Sequence, residues 1–538
     1  MKTVIIGLDG ATFDIIKPLA GDGRLPVLRR LMRDGVSAPL RSTILPNSFP
    51  GWASCTTGTS EGMHGVFSPF IKNESSYSVR AMSGRDIMTR SVWDFVTDHG
   101  GRSIVLNVPT TYPPEPLNGL MVTGMLTPAA AADFTFPASL KEDLVAAVPD
   151  YVIEPGRDPD KHRRAADFRT ATEGHERAAR FLMSQGDWDF FMVVFSVLDR
   201  AQHDFWADMD SSHPRHDPVA PQEFRRFIRE TYQQLDSVIG TLIESLPADV
   251  RVLIVSDHGF CAELMEVRVN EVLAAAGLLK FKSPYTRKAR ATMGSLREKV
   301  RRRLKPAEAR GSILERKVLS GGSYLSEIDW LHTRAYFAQD KGVWVNLVGR
   351  EPQGIVAESR FDEVVVELRQ VLLGLMHDGD AVFERVLTRD EAFTGRHKSR
   401  LPDVVMIPRR DEYVYNERPG YGRLIVPADS TSGTHARDGI FIAWGRGIKP
   451  ATKLAPQLEN ADAAANLRDV GPTALYSLGL ALTDDMDGRV LTQIFPETVG
   501  ERRAGSSYRS EDPAEKSAYS ESEEAEVTDR LRALGYIE

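Results

Sequence analysis

The feature that most constrains this chain is a short apolar, β-branched run, repeated along the sequence and often followed at once by an acidic residue or a histidine. Residues 3–8 read Thr-Val-Ile-Ile-Gly-Leu and end in Asp9-Gly10. Similar runs recur at Arg102–Asn107, Phe190–Val197, Val250–Ser256 and Gly439–Trp444. Continuous apolar runs of this length are those of strands buried on both faces. Helical patterns lie between them: in Phe224–Leu246, for example, Phe227, Thr231, Leu235 and Ile239 follow an i, i+4 spacing. Strands alternating with helices predict an α/β fold with a mainly parallel central sheet covered on both faces. Ligands of such sheets sit beyond the carboxyl ends of the strands, so the polar residue after each strand is placed to converge with the others. Asp9 follows the first run, Asp199 follows Val193–Leu198, and Asp257-His258 follow Val252–Ser256.

Composition narrows the classes. With 42% hydrophobic and 26% charged residues, the 538-residue chain is ordinary for a globular protein able to bury a sizeable core. A net charge of −8 argues against a dedicated nucleic-acid binder, leaving at most a nucleotide as substrate. Two cysteines, Cys55 and Cys261, are too few for a disulfide framework or a thiolate zinc site, so any metal must use Asp and His. The apolar run after Met1-Lys2 is too short for a signal peptide or a membrane span, and a cytoplasmic location is expected.

Residues 262–399 break the strand–helix rhythm and are expected to form an inserted lid between two parts of one core, 1–261 and 400–500. Within the lid, Arg287–Lys317 is strongly basic, with Leu296, Val300 and Leu304 along one helical face. A solvated lid helix is the ordinary reading. A membrane-surface or polyanion dock, with peripheral membrane contact through 287–317, is the alternative from another functional class. Residues 501–538 are rich in Ser, Glu and Arg, and predict a flexible tail with a short terminal helix near Val527–Leu534.

The residues that carry chemistry gain weight by conjunction. Asp199 and His203 stand four apart, on one side of a helical turn. Asp257-His258-Gly259 sets two ligand types beside a glycine that can bend the chain around one cation. His435 lies in Thr434-His-Ala-Arg-Asp-Gly439, just before another strand. Each alone has an ordinary explanation as a cap, a turn residue or a surface histidine. In Asn47-Ser48-Phe49-Pro50-Gly51-Trp52, Pro50 suits the first turn of a helix and sets Ser48 at its N-terminus, where backbone N–H groups favour an anion such as a phosphoryl group. Simple helix capping is the competing role for Ser48. No histidine lies close to it in sequence, which makes metal coordination the natural activator of its hydroxyl.

In order, Asp9, Ser48-Phe-Pro with Thr57-Gly58 and His64-Gly65, Asp199-x-x-x-His203, Ser256-Asp-His-Gly259 and Gly433-x-His435 resemble the alkaline phosphatase superfamily. The chain is most similar to the type I phosphodiesterase/nucleotide pyrophosphatase branch. Asp469-Val-Gly-Pro-Thr473, Leu478-Gly479 and Asp487-Gly488 match a C-terminal pattern shared across that superfamily and its sulfatase relatives. The resemblance implies an alkaline-phosphatase-like three-layer α/β/α sandwich. It assigns one divalent cation to Asp199, His203 and His435 and another to Asp9, Asp257 and His258, with Ser48 touching the second. Zinc is the family's usual metal, and the His and carboxylate ligands leave manganese open. The implied function is metal-dependent hydrolysis of a small-molecule or lipid-linked phosphoric ester, of phosphodiesterase or nucleotide-pyrophosphatase type, through a phosphoseryl intermediate. A phosphomonoesterase or phosphomutase of the same superfamily is the enzymatic alternative.

Three positions depart from the family pattern. The nucleophile is Ser48 where many of these phosphodiesterases have threonine. Pro69 stands where nucleotide pyrophosphatases carry a phosphate-gripping Asn, with Asn47 and Asn73 as candidate replacements. Trp52 occupies the position of the arginine needed for formylglycine formation, so a sulfatase is not expected.

Overall fold

The computed structural model describes the whole chain except residues 74, 129–132, 283–323, 339–341, 418–419, 451–463, 497–499, 510–517 and 534–538. The basic stretch Arg287–Lys317 therefore lies outside the described residues.

Nine strands form the central sheet: β1 (Lys2–Leu8), β2 (Val36–Arg41), β3 (Ser103–Val108), β4 (Gly119–Thr123), β5 (Thr135–Phe136), β6 (Phe190–Phe195), β7 (Val250–Val255), β8 (Asp438–Gly445) and β9 (Ala465–Asn466). Their order is β9-β2-β8-β7-β1-β6-β3-β4-β5. Only β8 and β5 run against the others, so the sheet is mainly parallel, as the alternation of strands and helices predicts. β1 lies in the middle, with Ile6 opposite Val193 of β6 and Ile254 of β7.

Successive side chains of a strand point to opposite faces, and the two faces feed two separate cores. Val4, Ile6 and Leu8 pack with Val193, Ile254 and the buried faces of helices α2 (Lys161–Met183), α3 (Val197–Met209) and α4 (Gln222–Glu244). Phe227, Thr231, Leu235 and Ile239 are all on the buried face of α4. Ile5, Val105, Val194 and Leu253 face the other way, with Trp52 and Cys55 of helix α1 (Ser48–Thr57) and with Val470 and Leu475 of helix α6 (Val470–Leu478). These are the three layers of an α/β/α sandwich. Gly7 lets α1 approach β1: a Cβ there would lie 2.4 Å from Trp52 Cη2 and 2.8 Å from Val194 Cγ2.

The chain leaves this sheet after β7 and re-enters it at β8. Between them, Ala335–Phe337, Val343–Val345, Val404–Pro408 and Phe383–Thr388 form an antiparallel sheet against helix α5 (Phe361–Leu373), with a core of its own. Val404–Pro408, expected with the second part of the main core, belongs to this smaller sheet; a buried five-residue run carries no local sign of which sheet it will join. Asp403 ties the cap together, accepting from Arg350 Nη1 at 2.8 Å, Arg350 Nη2 at 2.6 Å, the Val345 backbone N–H at 2.7 Å, and Arg389.

The end of the chain is docked where it is described. Helix α7 (Glu521–Ala533) buries Val527 and Leu531 completely, in a cluster that also holds Phe49 and Ala53 of α1. Tyr519 sets its hydroxyl 3.0 Å from the Met82 carbonyl and 3.1 Å from that of Leu126. The Ser- and Glu-rich composition pointed to a flexible tail, but a few spaced apolar side chains are enough to anchor it.

Candidate active site

Asp9 and Asp257-His258 follow β1 and β7, which are neighbours in the sheet, and Asp199 lies in the first turn of α3 just beyond β6. Three adjacent strands therefore deliver their polar ends to one place. The i, i+4 spacing brings His203 back over Asp199, with His203 Nε2 3.4 Å from Asp199 Oδ1. His435 arrives on a short strand, Gly433–Ala436, which pairs with Gly259–Ala262 directly after His258. His435 Nε2 lies 3.3 Å from Asp199 Oδ1, and its ring stacks on that of His258 with centroids 3.8 Å apart. His258 Nε2 is 3.6 Å from Asp9 Oδ1, 3.1 Å from Asp257 Oδ2 and 4.0 Å from Asp199 Oδ1.

All three histidines are fixed from behind. Nδ1 of His203 meets the Gly433 carbonyl at 2.7 Å, that of His258 the Gly259 carbonyl at 3.0 Å, and that of His435 the Pro46 carbonyl at 3.1 Å. Since a carbonyl only accepts, each Nδ1 carries a proton, and each neutral ring turns the Nε2 lone pair toward the centre. Nε2 of His203 and Nε2 of His435 are then 3.0 Å apart, lone pair against lone pair, unless a cation or a proton stands between them.

The carboxylates make the same demand. Asp9, Asp199 and Asp257 have no solvent exposure, and both oxygens of Asp199 and Oδ2 of Asp257 lack a hydrogen-bond donor. Burial, reinforced by Asp257 and Asp199, pushes the Asp9 carboxyl well above its usual range; burial and Asp199 push Asp257 up to about 8. Burial would raise Asp199 as well, but His203 and His435 pull it well below its ordinary value. His258, buried and next to His435, is held well below the usual imidazole range. In His203 the pull of Asp199 outweighs burial and raises the ring. Buried acids crowded around unprotonated ring nitrogens are a coordination environment for divalent cations. Among the described residues, two groups have ligand atoms within 4.8 Å of one another: Asp199, His203 and His435, and Asp9, Asp199 and His258. Asp199 stands between the groups, and Asp257 reaches the second through His258.

Ser48 opens helix α1, but Asn47 is its cap, accepting from the Phe49 N–H at 3.1 Å. The serine hydroxyl instead lies 3.3 Å from Asp9 Oδ1 and 3.3 Å from His258 Nε2. One turn on, Trp52 donates its indole N–H to Asp9 Oδ2 at 3.0 Å, so a single helix presents both the hydroxyl and the group that orients the Asp9 carboxylate. In the sequence, the i+4 spacing of Trp52 from Ser48 is the signal that both side chains face the same side of the helix.

Other motif residues have structural work. His64 is buried, bonded to Ser54 Oγ at 2.9 Å and to the Val66 N–H at 3.2 Å, and burial holds it down at about 3. A Cβ on Gly58 would lie 2.5 Å from Pro472 Cδ. Asp469 accepts backbone N–H groups from Asn466 and Arg489, each at 2.9 Å, and Asp487 accepts from the Ser60 N–H at 2.9 Å. Asn73 bonds Ser78 Oγ at 2.9 Å in an exposed turn.

Comparison with solved structures places the same fold in proteins of low sequence identity. Phosphonoacetate hydrolase from Sinorhizobium meliloti 1021, in complex with phosphonoformate, superposes with a TM-score of 0.53 at 13% identity, covering 89% of this chain and 96% of the other. A mutant of the alkaline phosphatase PafA gives 0.52 at 13%, with 92% and 98% covered. Human ectonucleotide pyrophosphatase/phosphodiesterase 5 gives 0.50 at 11%, with 92% and 100% covered. Comparison with curated protein sequences returns no significant match. The family model for type I phosphodiesterase / nucleotide pyrophosphatase matches residues 3–439, which include Ser48 and all six expected ligands. The chain thus belongs to the type I phosphodiesterase/nucleotide pyrophosphatase family, and is an enzyme of phosphoric ester hydrolysis.

Proposed function

We propose that this protein is a metal-dependent hydrolase of phosphoric esters, a phosphodiesterase before a phosphomonoesterase, acting through a phosphoseryl intermediate on Ser48. The observation that carries the reading is the placement of Ser48 Oγ, 3.3 Å from both Asp9 and His258, at the first residue of a helix it does not cap. Asp199, His203 and His435 would hold one cation, and Asp9, Asp257 and His258 the other. Zinc suits the mixed nitrogen and oxygen donors, with manganese second. Bound there, the cations supply Lewis-acid neutralisation of phosphoryl charge and depress the pKa of the serine hydroxyl.

Ser48 Oγ attacks phosphorus and displaces the alcohol or phosphate leaving group; water then cleaves the Ser48–phosphoryl bond and restores the serine. The N-terminal N–H groups of α1 favour the anion during both steps, and Trp52 keeps Asp9 turned toward the site. The family relationship supports ester hydrolysis without choosing the substrate. A nucleotide is not favoured, because Pro69 replaces the phosphate-gripping Asn and Asn73 is engaged with Ser78.

p-Nitrophenyl mono- and diesters, assayed with zinc and with manganese beside metal analysis of the purified protein, test the reading. Diester turnover with two cations per chain is expected. Absence of turnover on every ester in the metal-loaded protein would reject it.

A further inference from the structure

One buried charge beside the ligand cluster is not used by this scheme. Arg200 follows Asp199 in α3, and its side chain is 4% exposed. Glu154 pins it from one side, accepting from Nη2 at 3.2 Å, and is itself fixed by Ser196 Oγ at 2.5 Å. On the other side, Arg200 Nε is 3.9 Å from Asp199 Oδ2, beyond hydrogen-bond reach. Nε and Nη1 are both buried with no acceptor among the described residues. Buried N–H groups of a charged side chain are rarely left unmatched, because each loses its water without recovering a partner. No described residue supplies the missing acceptor, which leaves the place open to a bound group. Arg200 and His203 both border a small cavity, with Arg157 and Thr431 on its wall, so an incoming group would meet the guanidinium and the ligand cluster together.

We propose that Arg200 is a further substrate-binding residue, whose Nη1 donates an N–H to a non-bridging phosphoryl oxygen held beside Asp199. The inference rests on the phosphoric ester reading of the site. Glu154 is then a positioning residue: it holds the guanidinium in place by occupying Nη2 and leaves Nη1 for the ligand. A guanidinium suits this task, since it stays charged when buried and its hydrogen bond to an anion is charge-assisted.

The probe is inorganic phosphate, the product-side anion, titrated calorimetrically into full-length, metal-loaded protein and checked as a competitive inhibitor. Arg200→Met is expected to weaken phosphate binding roughly 10- to 100-fold, the range for losing charge-assisted hydrogen bonds. Cation content should stay near wild type, while the melting temperature falls by a few degrees because Glu154 loses its buried partner. Arg200→Lys should recover part of the loss, and Glu154→Gln should fall between, since the guanidinium survives but is no longer fixed. The same ranking is expected in kcat/KM. Phosphate affinity in Arg200→Met within about threefold of wild type, with two cations still bound, overturns the proposal and assigns the free N–H groups to water alone. Should Arg200→Met fail to fold, Arg200→Lys binding phosphate as wild type does would overturn it equally. If wild type itself binds no phosphate and hydrolyses no ester, the reading of the site fails first; if it does both and the variants match it, only the role of Arg200 fails.

Discussion

Replacing Trp52 by Phe tests whether α1 orients the site rather than merely carrying Ser48. The indole N–H is 3.0 Å from Asp9 Oδ2, and both groups are fully buried. Phenylalanine preserves most of the ring packed against Gly7 but leaves a buried carboxylate oxygen without its donor. Loss of a hydrogen bond to a charged buried group costs about 2 kcal/mol, and the smaller ring leaves a void worth about 1 kcal/mol. Unfolding entropy is about 2.1 cal/mol/K per residue, or about 1 kcal/mol/K for 538 residues, so a total near 3 kcal/mol lowers the melting temperature by about 3 °C. The larger effect is on the cation at Asp9: losing a group that orients a ligand typically weakens metal binding 10- to 100-fold. Differential scanning calorimetry and competition with a chelator of known affinity read the two effects separately. A Trp52→Phe protein that melts as wild type does and releases its cations at the same chelator concentration would show that the indole contact orients nothing.

Stripping the protein with a chelator should abolish ester hydrolysis, and zinc or manganese should restore it; activity that persists at undetectable metal content contradicts metal dependence. Asp403→Asn removes the carboxylate that the part-buried Arg350 and Arg389 share, at a cost of about 2–3 kcal/mol. Hydrogen exchange should then rise across the cap sheet and not across β1, β6 and β7. Asp86 is buried, which alone would raise its carboxyl, but the bidentate contact with Arg80 holds it below the usual carboxylate range. A group depressed on folding adds stability above its unfolded value near 4 and loses it as pH falls through the folded one. Asp86→Asn should therefore flatten the acid limb of stability below about pH 4, as measured by denaturant melts across that range; an unchanged acid limb would deny the pair that role.

Much of the site is legible in the sequence because its ligands obey a topological rule: residues that end neighbouring parallel strands meet at one edge of the sheet. Asp9, Asp199 and Asp257-His258 all satisfy it, and the i, i+4 spacing places His203. His435 has no strand end of its own; its position depends on the antiparallel pairing of Gly433–Ala436 with Gly259–Ala262, which only the assembled fold supplies. Trp52 and Arg200 were harder to read because each acts through a partner far away in the chain, Asp9 and Glu154. Val404–Pro408 has the composition of a central strand yet pairs in the cap, since composition records burial and not which sheet provides it. The tail misleads in the opposite sense: Tyr519, Val527 and Leu531 are scattered among polar residues, and their docking surface is built from Phe49, Met82, Met125 and Leu126.

The central claim is that Ser48 attacks phosphorus, and steady-state hydrolysis of a p-nitrophenyl diester by Ser48→Ala, with cation content measured on the same sample, tests it most directly. Ser48→Ala should hold two cations per chain with turnover lowered to the background rate. Two bound cations with turnover near that of wild type would contradict the claim and give the attacking role to another group.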